Sequence, residues 1–217
     1  MILRMKSGEI KSGDTSVMLD FLGVKKEVTG LQKISADVEL IASVPFLLTA
    51  DVETEKGYPW TLSTFDLDRY GERIDPLGWD FAAYMKNPIV EWAHRYDIPA
   101  IGKIETLAAD EKGLHGVVIF NSKEYDQFGW SIGERVKAGV IRAGSVGFRV
   151  IEIEIPSKED SKDGTSLIFR KQELLEFSIC NVPANPWALA KTIETEKTET
   201  KQELNYPTFW GNLINNL

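Results

Sequence analysis

A chain of 217 residues, 43% apolar and 27% charged, has room for one well-buried domain plus extensions and matches neither a disordered nor a membrane-embedded composition. A formal net charge of -8 argues against the clustered Lys and Arg that grip a phosphate backbone, so no nucleic-acid partner is expected. The single cysteine, Cys180, excludes an internal disulfide and the two histidines exclude an all-Cys/His metal site, a count that a site built mainly from carboxylates would escape; no metal or cofactor is expected.

At the start of the chain, MILRMKSGEIKSG lacks the apolar core of a signal peptide, and the longest nearly apolar run, LIASVPFLLTA, is too short to span a bilayer. No membrane association is expected, and a cytoplasmic site of action is. Residues 1–35 read as an N-terminal extension of mixed character in which Val17 to Leu22 form a short strand. From Asp37 the pattern becomes strand-like: DVELIASV, FLLTADV and WTLSTFD combine β-branched and aromatic residues, with breaks at Pro45 and at Gly57-Tyr58-Pro59. A β-meander is the expectation there. DRYGERIDPLG reads as a polar loop, and GWDFAAYMKN as a short helical run with Phe81, Tyr84 and Met85 on one face, stopped by Asn87-Pro88.

Further on, IGKIETLA, the turn ADEKG and LHGVVIF predict a β-hairpin. KEYDQFGWSIGERVKAG sets Tyr125, Phe128, Ile132 and Val136 at helical spacing, with Gly139 just past the helix C-terminus. GSVGFRVIEIEI and LLEFSIC alternate as strands on either side of the solvated loop SKEDSKDGTS, and the two are expected to be neighbours. In the second strand Leu175, Phe177 and Ile179 share one face and Glu176, Ser178 and Cys180 the other. NPWALAK reads as a helix start with Asn185 as cap and Pro186 at the first position, closing a domain of residues 36–190. Residues 191–217 follow as a charged linker, TIETEKTETKQE, and an aromatic tail, YPTFWGNLINNL, that either docks elsewhere or folds back.

Three residues carry the chemistry. His94 in NPIVEWAHRYDIPAIGK, Ser145 in IRAGSVGFRV and Glu176 in ELLEFSICNVPANP supply a base, a nucleophile and a carboxylate, each beside a predicted strand. Singly, each has a plainer reading: a hydrogen-bonded structural histidine, a Gly-Ser turn, a solvent-facing strand carboxylate. Together they form the inventory of serine hydrolysis. Gly144 and Gly147 around Ser145 allow a bulge or a close approach to substrate. Glu176 shares its face with Ser178 and Cys180, which is not plainly a solvent face, and a buried carboxylate there needs a partner such as an imidazole N–H.

Chain order then discriminates between plans. AGSVG loosely resembles the nucleophile elbow of α/β-hydrolases, but that plan needs a histidine after the serine, and none follows Ser145. A chymotrypsin-like order needs the acid between histidine and serine, and a subtilisin-like plan starting at Asp66 or Asp68 lacks parallel α/β alternation. Histidine, then serine, then a third member is the order of the herpesvirus maturation proteases.

In that order, three blocks resemble the prohead serine proteases of tailed phages: STFDLDRYGERIDPLGWDFAAYMKNPIVEWAHRYDIPAIGK, VKAGVIRAGSVGFRV and ELLEFSICNVPANPWA. The resemblance implies a mainly β (α+β) fold, a closed or partly open β-barrel of about six or seven strands with a few surrounding helices, herpesvirus-protease-like. It implies His94 as general base, Ser145 as nucleophile and Glu176 as third member, with Glu173 and His115 as rivals for that last role. Backbone N–H groups near Gly147 or in the Asn181 to Asn185 loop are the candidate oxyanion donors, and Arg142 and Arg149 have solvated or structural roles as alternatives to catalytic ones. It also implies the major capsid protein and scaffold protein as substrates, self-cleavage, a homodimer or higher oligomer, and action inside assembling proheads in the host bacterial cytoplasm. Only about 30 residues follow NPWA, which leaves no room for a fused scaffold of domain size, so scaffold is expected as a separate chain. Two other readings stand beside this one, a catalytically silent assembly protein of the same fold and a small-ester hydrolase using the same residues.

Overall fold

The structure, a computed structural model, describes residues 2–5, 10–12, 15–25, 28–34, 38–42, 47–48, 57–68 and 70–181. In chain order the elements are β1 (Ile2–Met5), β2 (Ile10–Ser12), α1 (Thr15–Phe21), β3 (Gly30–Lys33), β4 (Val38–Ala42), β5 (Leu47–Leu48), β6 (Tyr58–Ser63), β7 (Glu72–Ile74) and β8 (Trp79–Asp80). They continue with β9 (Ile89–Trp92), β10 (Gly102–Asp110), β11 (Gly113–Phe120), α2 (Gln127–Lys137), β12 (Ala143–Ile155) and β13 (Leu167–Cys180), with single 3-10 turns at Pro76–Gly78 and Tyr84–Lys86. All the strands belong to one curled sheet whose central path runs β4-β12-β13-β9-β10-β11-β6. The architecture is therefore mainly β with few helices, and the path is open rather than closed.

The long antiparallel pair β12–β13 is the spine of the sheet. Its strands alternate β-branched and aromatic residues with polar ones, and burying one face of each draws Phe148, Phe169 and Phe177 completely out of solvent. Phe148 packs edge-to-face on both Phe169 and Trp79, at 5.1 and 5.5 Å between ring centroids, and Phe177 packs on Trp60 at 5.8 Å. Each such ring contributes roughly 2–3 kcal/mol through burial alone. The β10–β11 hairpin is as expected, its turn closed by the Asp110 carboxylate accepting from the N–H groups of Lys112 and Gly113.

Helix α2 also forms where the pattern places it. Asp126 caps it by accepting from Gly129 N–H at 2.9 Å, Arg135 and Lys137 sit in the last turn, and Gly139 follows at φ +70°. Only half of the expected apolar face is buried: Ile132 and Val136 enter the core, whereas Tyr125 and Phe128 are exposed and Phe128 rests edge-on against Trp92.

Several expectations are corrected. Val17 to Leu22 is not a strand: Val17 to Phe21 lie in α1 and Leu22 in the turn after it, because Met18, Leu19 and Leu22 fall on one side of the helical turn and are buried together. No meander links β4, β5 and β6: β4 pairs with β1 and β12 on one side of the sheet, while β5 and β6 pair on the other. The segment read as a polar loop and a helix instead runs parallel to β13 and touches it twice, through β7 and β8, and β9 just after it pairs with β13 in the same sense. Its polarity is consumed internally, with Gln172 donating to the Asp75 carbonyl and Arg170 bridging Asp75 and Glu154. The face expected for GWDFAAYMKN survives without the helix, since Tyr84 is buried and Phe81 and Met85 pack against the core.

One further correction concerns β13. Gly147 pairs with Glu176 but Phe148 pairs with Leu174, so Leu175 is the extra residue of a β-bulge and is exposed, leaving the apolar face to Leu174, Phe177 and Ile179. At the other end of the chain, β1 and β3 join the sheet and α1 joins the core, although all three precede residue 36. The helix start at Asn185 and the segment 191–217 lie outside the described residues.

Candidate active site

Three adjacent strands set a row of polar side chains on one face of the sheet. In the ladder Ser145 on β12 lies opposite Ser178 on β13, and Ser178 lies opposite Glu91 on β9. Registered neighbours in a sheet project to the same side, so the three form one line, with Glu176 two residues from Ser178 on the same face. Ser145 and Ser178 are fully buried, and Glu176 and Glu91 nearly so.

His94 enters this row from a strained turn. Immediately after β9 the chain turns through Ala93 at φ 52° and His94 at φ 57°, two non-glycine residues in the left-handed region. Two hydrogen bonds hold it there: Ala93 N–H donates to the Ile179 carbonyl at 2.8 Å, and His94 N–H donates to Ser178 Oγ at 3.0 Å. The turn aims the imidazole back across β13. Its Nε2 lies 2.7 Å from Ser145 Oγ, and its Nδ1 is hydrogen-bonded to Glu176 Oε1. The second oxygen of Glu176 is also occupied, accepting from Ser178 Oγ at 2.7 Å.

The structure thus brings together the three residues named from the sequence and leaves the rivals elsewhere. Glu173 pairs with Arg149 across the ladder. His115 lies on β11, where its Nδ1 is 3.0 Å from Thr61 Oγ1 and its Nε2 is 3.2 Å from Asp110. Of the candidate oxyanion donors, Gly147 lies between Glu176 and Ile41 in the ladder, and residues 182–185 fall outside the described residues.

A bulge does interrupt the ladder just after Gly147, and the two glycines near Ser145 also make room for side chains of the next strand. A Cβ at Gly147 would stand 2.5 Å from Glu176 Oε1, and a Cβ at Gly144 would stand 2.6 Å from the Phe177 ring. Their bareness makes room for the neighbouring strand's own side chains, one of them the carboxylate that holds His94.

Sequence reasoning placed Ser178 only on the face of Glu176 and gave Glu91 no role. The period-2 pattern of SIC could have flagged Ser178 as a partner; nothing in EWAH marks Glu91, because its place depends on pairing with a strand about 85 residues away. Burial pushes the Glu91 carboxyl above its ordinary range and the charge of Glu176 adds to this, while His94 opposes it.

A buried carboxylate bonded to an imidazole, itself bonded to a hydroxyl, is the arrangement that turns a serine into a nucleophile. The chain matches the family model described as caudovirus prohead serine protease over residues 48–203. No curated protein and no solved structure matches it. That family match covers well over half of the sequence and includes every residue of the polar row, so the chain belongs to the caudovirus prohead serine proteases, serine peptidases of phage capsid maturation.

Proposed function

We propose that the protein is the endopeptidase that cuts scaffold and capsid-protein segments, and itself, inside assembling proheads in the host cytoplasm, with Ser145 as nucleophile, His94 as general base and Glu176 as the third member. The observation that carries this reading is the continuous hydrogen-bonded line from Ser145 Oγ through both ring nitrogens of His94 to Glu176.

With its proton on Nδ1, the imidazole donates to Glu176 and accepts the Ser145 hydroxyl at Nε2. As Oγ attacks the scissile carbonyl carbon, its proton passes to Nε2, and the imidazolium that forms is balanced by the buried Glu176 carboxylate. That proton next moves to the leaving amine as the C–N bond breaks, leaving Ser145 acylated. A water deprotonated by Nε2 then attacks the acyl carbon, which frees the new carboxyl end and restores the hydroxyl. Ser178 ties together the base and the carboxylate of this line, since one oxygen bonds the backbone of His94 and the carboxylate of Glu176. Backbone N–H groups near Gly147 or in the Asn181 to Asn185 segment are the candidate donors to the oxyanion.

Ser145 is 0% exposed, so a substrate carbonyl reaches Oγ only when its cover shifts. This supports activity in a homodimer, a higher oligomer or the assembled shell over activity in a dilute monomer. Co-expression with the phage's major capsid and scaffold proteins tests the reading by intact mass. Defined capsid or scaffold fragments with wild type, absent with Ser145→Ala, are expected; intact partners beside folded protease in assembled shells would overturn it.

A further inference from the structure

Glu91 is the one member of the polar row that the catalytic proposal leaves unused. It is 5% exposed, and its Oε2 is buried with no hydrogen-bond partner among the described residues. A buried carboxylate oxygen left unpaired is costly to the fold, which a bare stabilising role does not explain. Its position is informative. Ser178, its registered partner on β13, donates to Glu176 and accepts from the backbone of His94. Glu91 is also only three residues before His94, at the end of the strand that launches the strained turn.

We infer that Glu91 is a positioning residue, a second carboxyl that acts on the His94 imidazole alongside Glu176 within the Ser145–Ser178–Glu91 row. This rests on the proposed roles of His94, Ser145 and Glu176. Two carboxyls so close cannot both ionise freely, and burial favours the neutral form of Glu91 while Glu176 carries the charge. A positive charge on His94 favours the ionised form of Glu91 over the neutral one, and the coupling between the two groups is reciprocal.

The groups facing Glu91 define the system. They are Glu176 on β13, His94 in the turn, and Tyr84 before β9, whose phenol is raised by burial and by the charges of Glu176 and Glu91. From the β10 side comes Ile101, buried and apolar, whose N–H donates to the Val90 carbonyl. No cation among these groups neutralises Glu91 other than protonated His94.

The test is the pH titration of the imidazole NMR signals in the full chain, which has two histidines, with His115→Gln assigning the His94 resonance. Glu91→Gln keeps the volume and removes the ionisable group, so the His94 midpoint is expected to move to lower pH by about half a unit or more at low salt. The acid limb of the kcat/KM profile is expected to move with it, a displacement that a merely structural role would not produce. An unmoved midpoint in a folded Glu91→Gln protein overturns the inference. Should that variant fail to fold, the Glu91 carboxyl carbon in wild type decides. Expected is a titration with a step at the His94 midpoint; a single curve with no such step overturns the inference. A moved midpoint in an assembled protein that cuts no peptide bond would sink the proteolytic reading and leave this coupling standing. An unmoved midpoint in an active protease would do the reverse.

Discussion

Gly147 faces Glu176 across the β12–β13 ladder so closely that a Cβ at position 147 would stand 2.5 Å from the carboxylate oxygen bonded to His94. One hydrogen atom on one strand thereby keeps open the seat of a carboxylate on the next. Gly147→Ala must push that carboxylate aside, and the loss is expected to fall mainly on kcat, by about 10-fold or more, with a stability cost of about 1–3 kcal/mol. Gly144→Ala is the control. Its Cβ meets the Phe177 ring, so it should cost similar stability while leaving the Glu176–His94 bond in place. Thermal unfolding and steady-state kinetics on the pair check this, and equal losses of kcat would contradict it.

Ala93 adopts φ 52° in the turn that delivers His94, a conformation that costs an L-residue roughly 1 kcal/mol and a glycine almost nothing. Ala93→Gly is therefore expected to raise stability by up to about 1 kcal/mol, the usual entropy penalty of glycine being offset by relief of strain. Chemical denaturation checks the sign. If the strain also helps hold the imidazole at Ser145, the stabler variant will be the slower enzyme.

Glu72 on β7 is 2% exposed, and burial, followed by the charge of Asp68, pushes its carboxyl from 4.5 to about 8 against a hydrogen bond from Thr15. A raised carboxyl favours the folded state only while it stays protonated. Its contribution is thus fully present below pH 4.5, is lost progressively as pH climbs to about 8, and is flat above that. The loss across this window is at most about 5 kcal/mol. Urea denaturation at intervals from pH 4.5 to 9 should show stability falling in wild type and a much flatter course in Glu72→Gln. Parallel curves for the two proteins would refute the assignment.

The parts of the fold legible in the sequence were those whose partners are local or whose pattern is long. The hairpin of β10 and β11 shows in the turn around Asp110, α2 in the spacing of Ile132 and Val136 and in Gly139, and β12 and β13 in their extended alternation. Across α1 and the residue after it, the apolar run Val17, Met18, Leu19, Phe21 and Leu22 is too dense for its period to be read, and the helix has only 7 residues. β7 and β8 hold three and two residues, too few for any period, and their strand character comes wholly from lying against β13. The separation of β4 from β5 is a matter of non-local pairing, which no window of sequence contains.

The site divides in the same way. His94, Ser145 and Glu176 could be named from residue type and chain order, because serine hydrolysis needs those groups and few arrangements supply them. Ser178 and Glu91 depend on the register of three strands, and a slip by one residue would turn both away from the row.

The most direct test of the Ser145–His94–Glu176 assignment is labelling with a small serine-directed fluorophosphonate, followed by intact mass and peptide mapping, in wild type, Ser145→Ala and His94→Ala. One adduct mapping to Ser145 in wild type is expected, faster at high protein concentration because Ser145 is fully buried in the single chain, and lost in both variants. An adduct that persists in Ser145→Ala, or that forms at an unchanged rate without His94, would contradict the assignment.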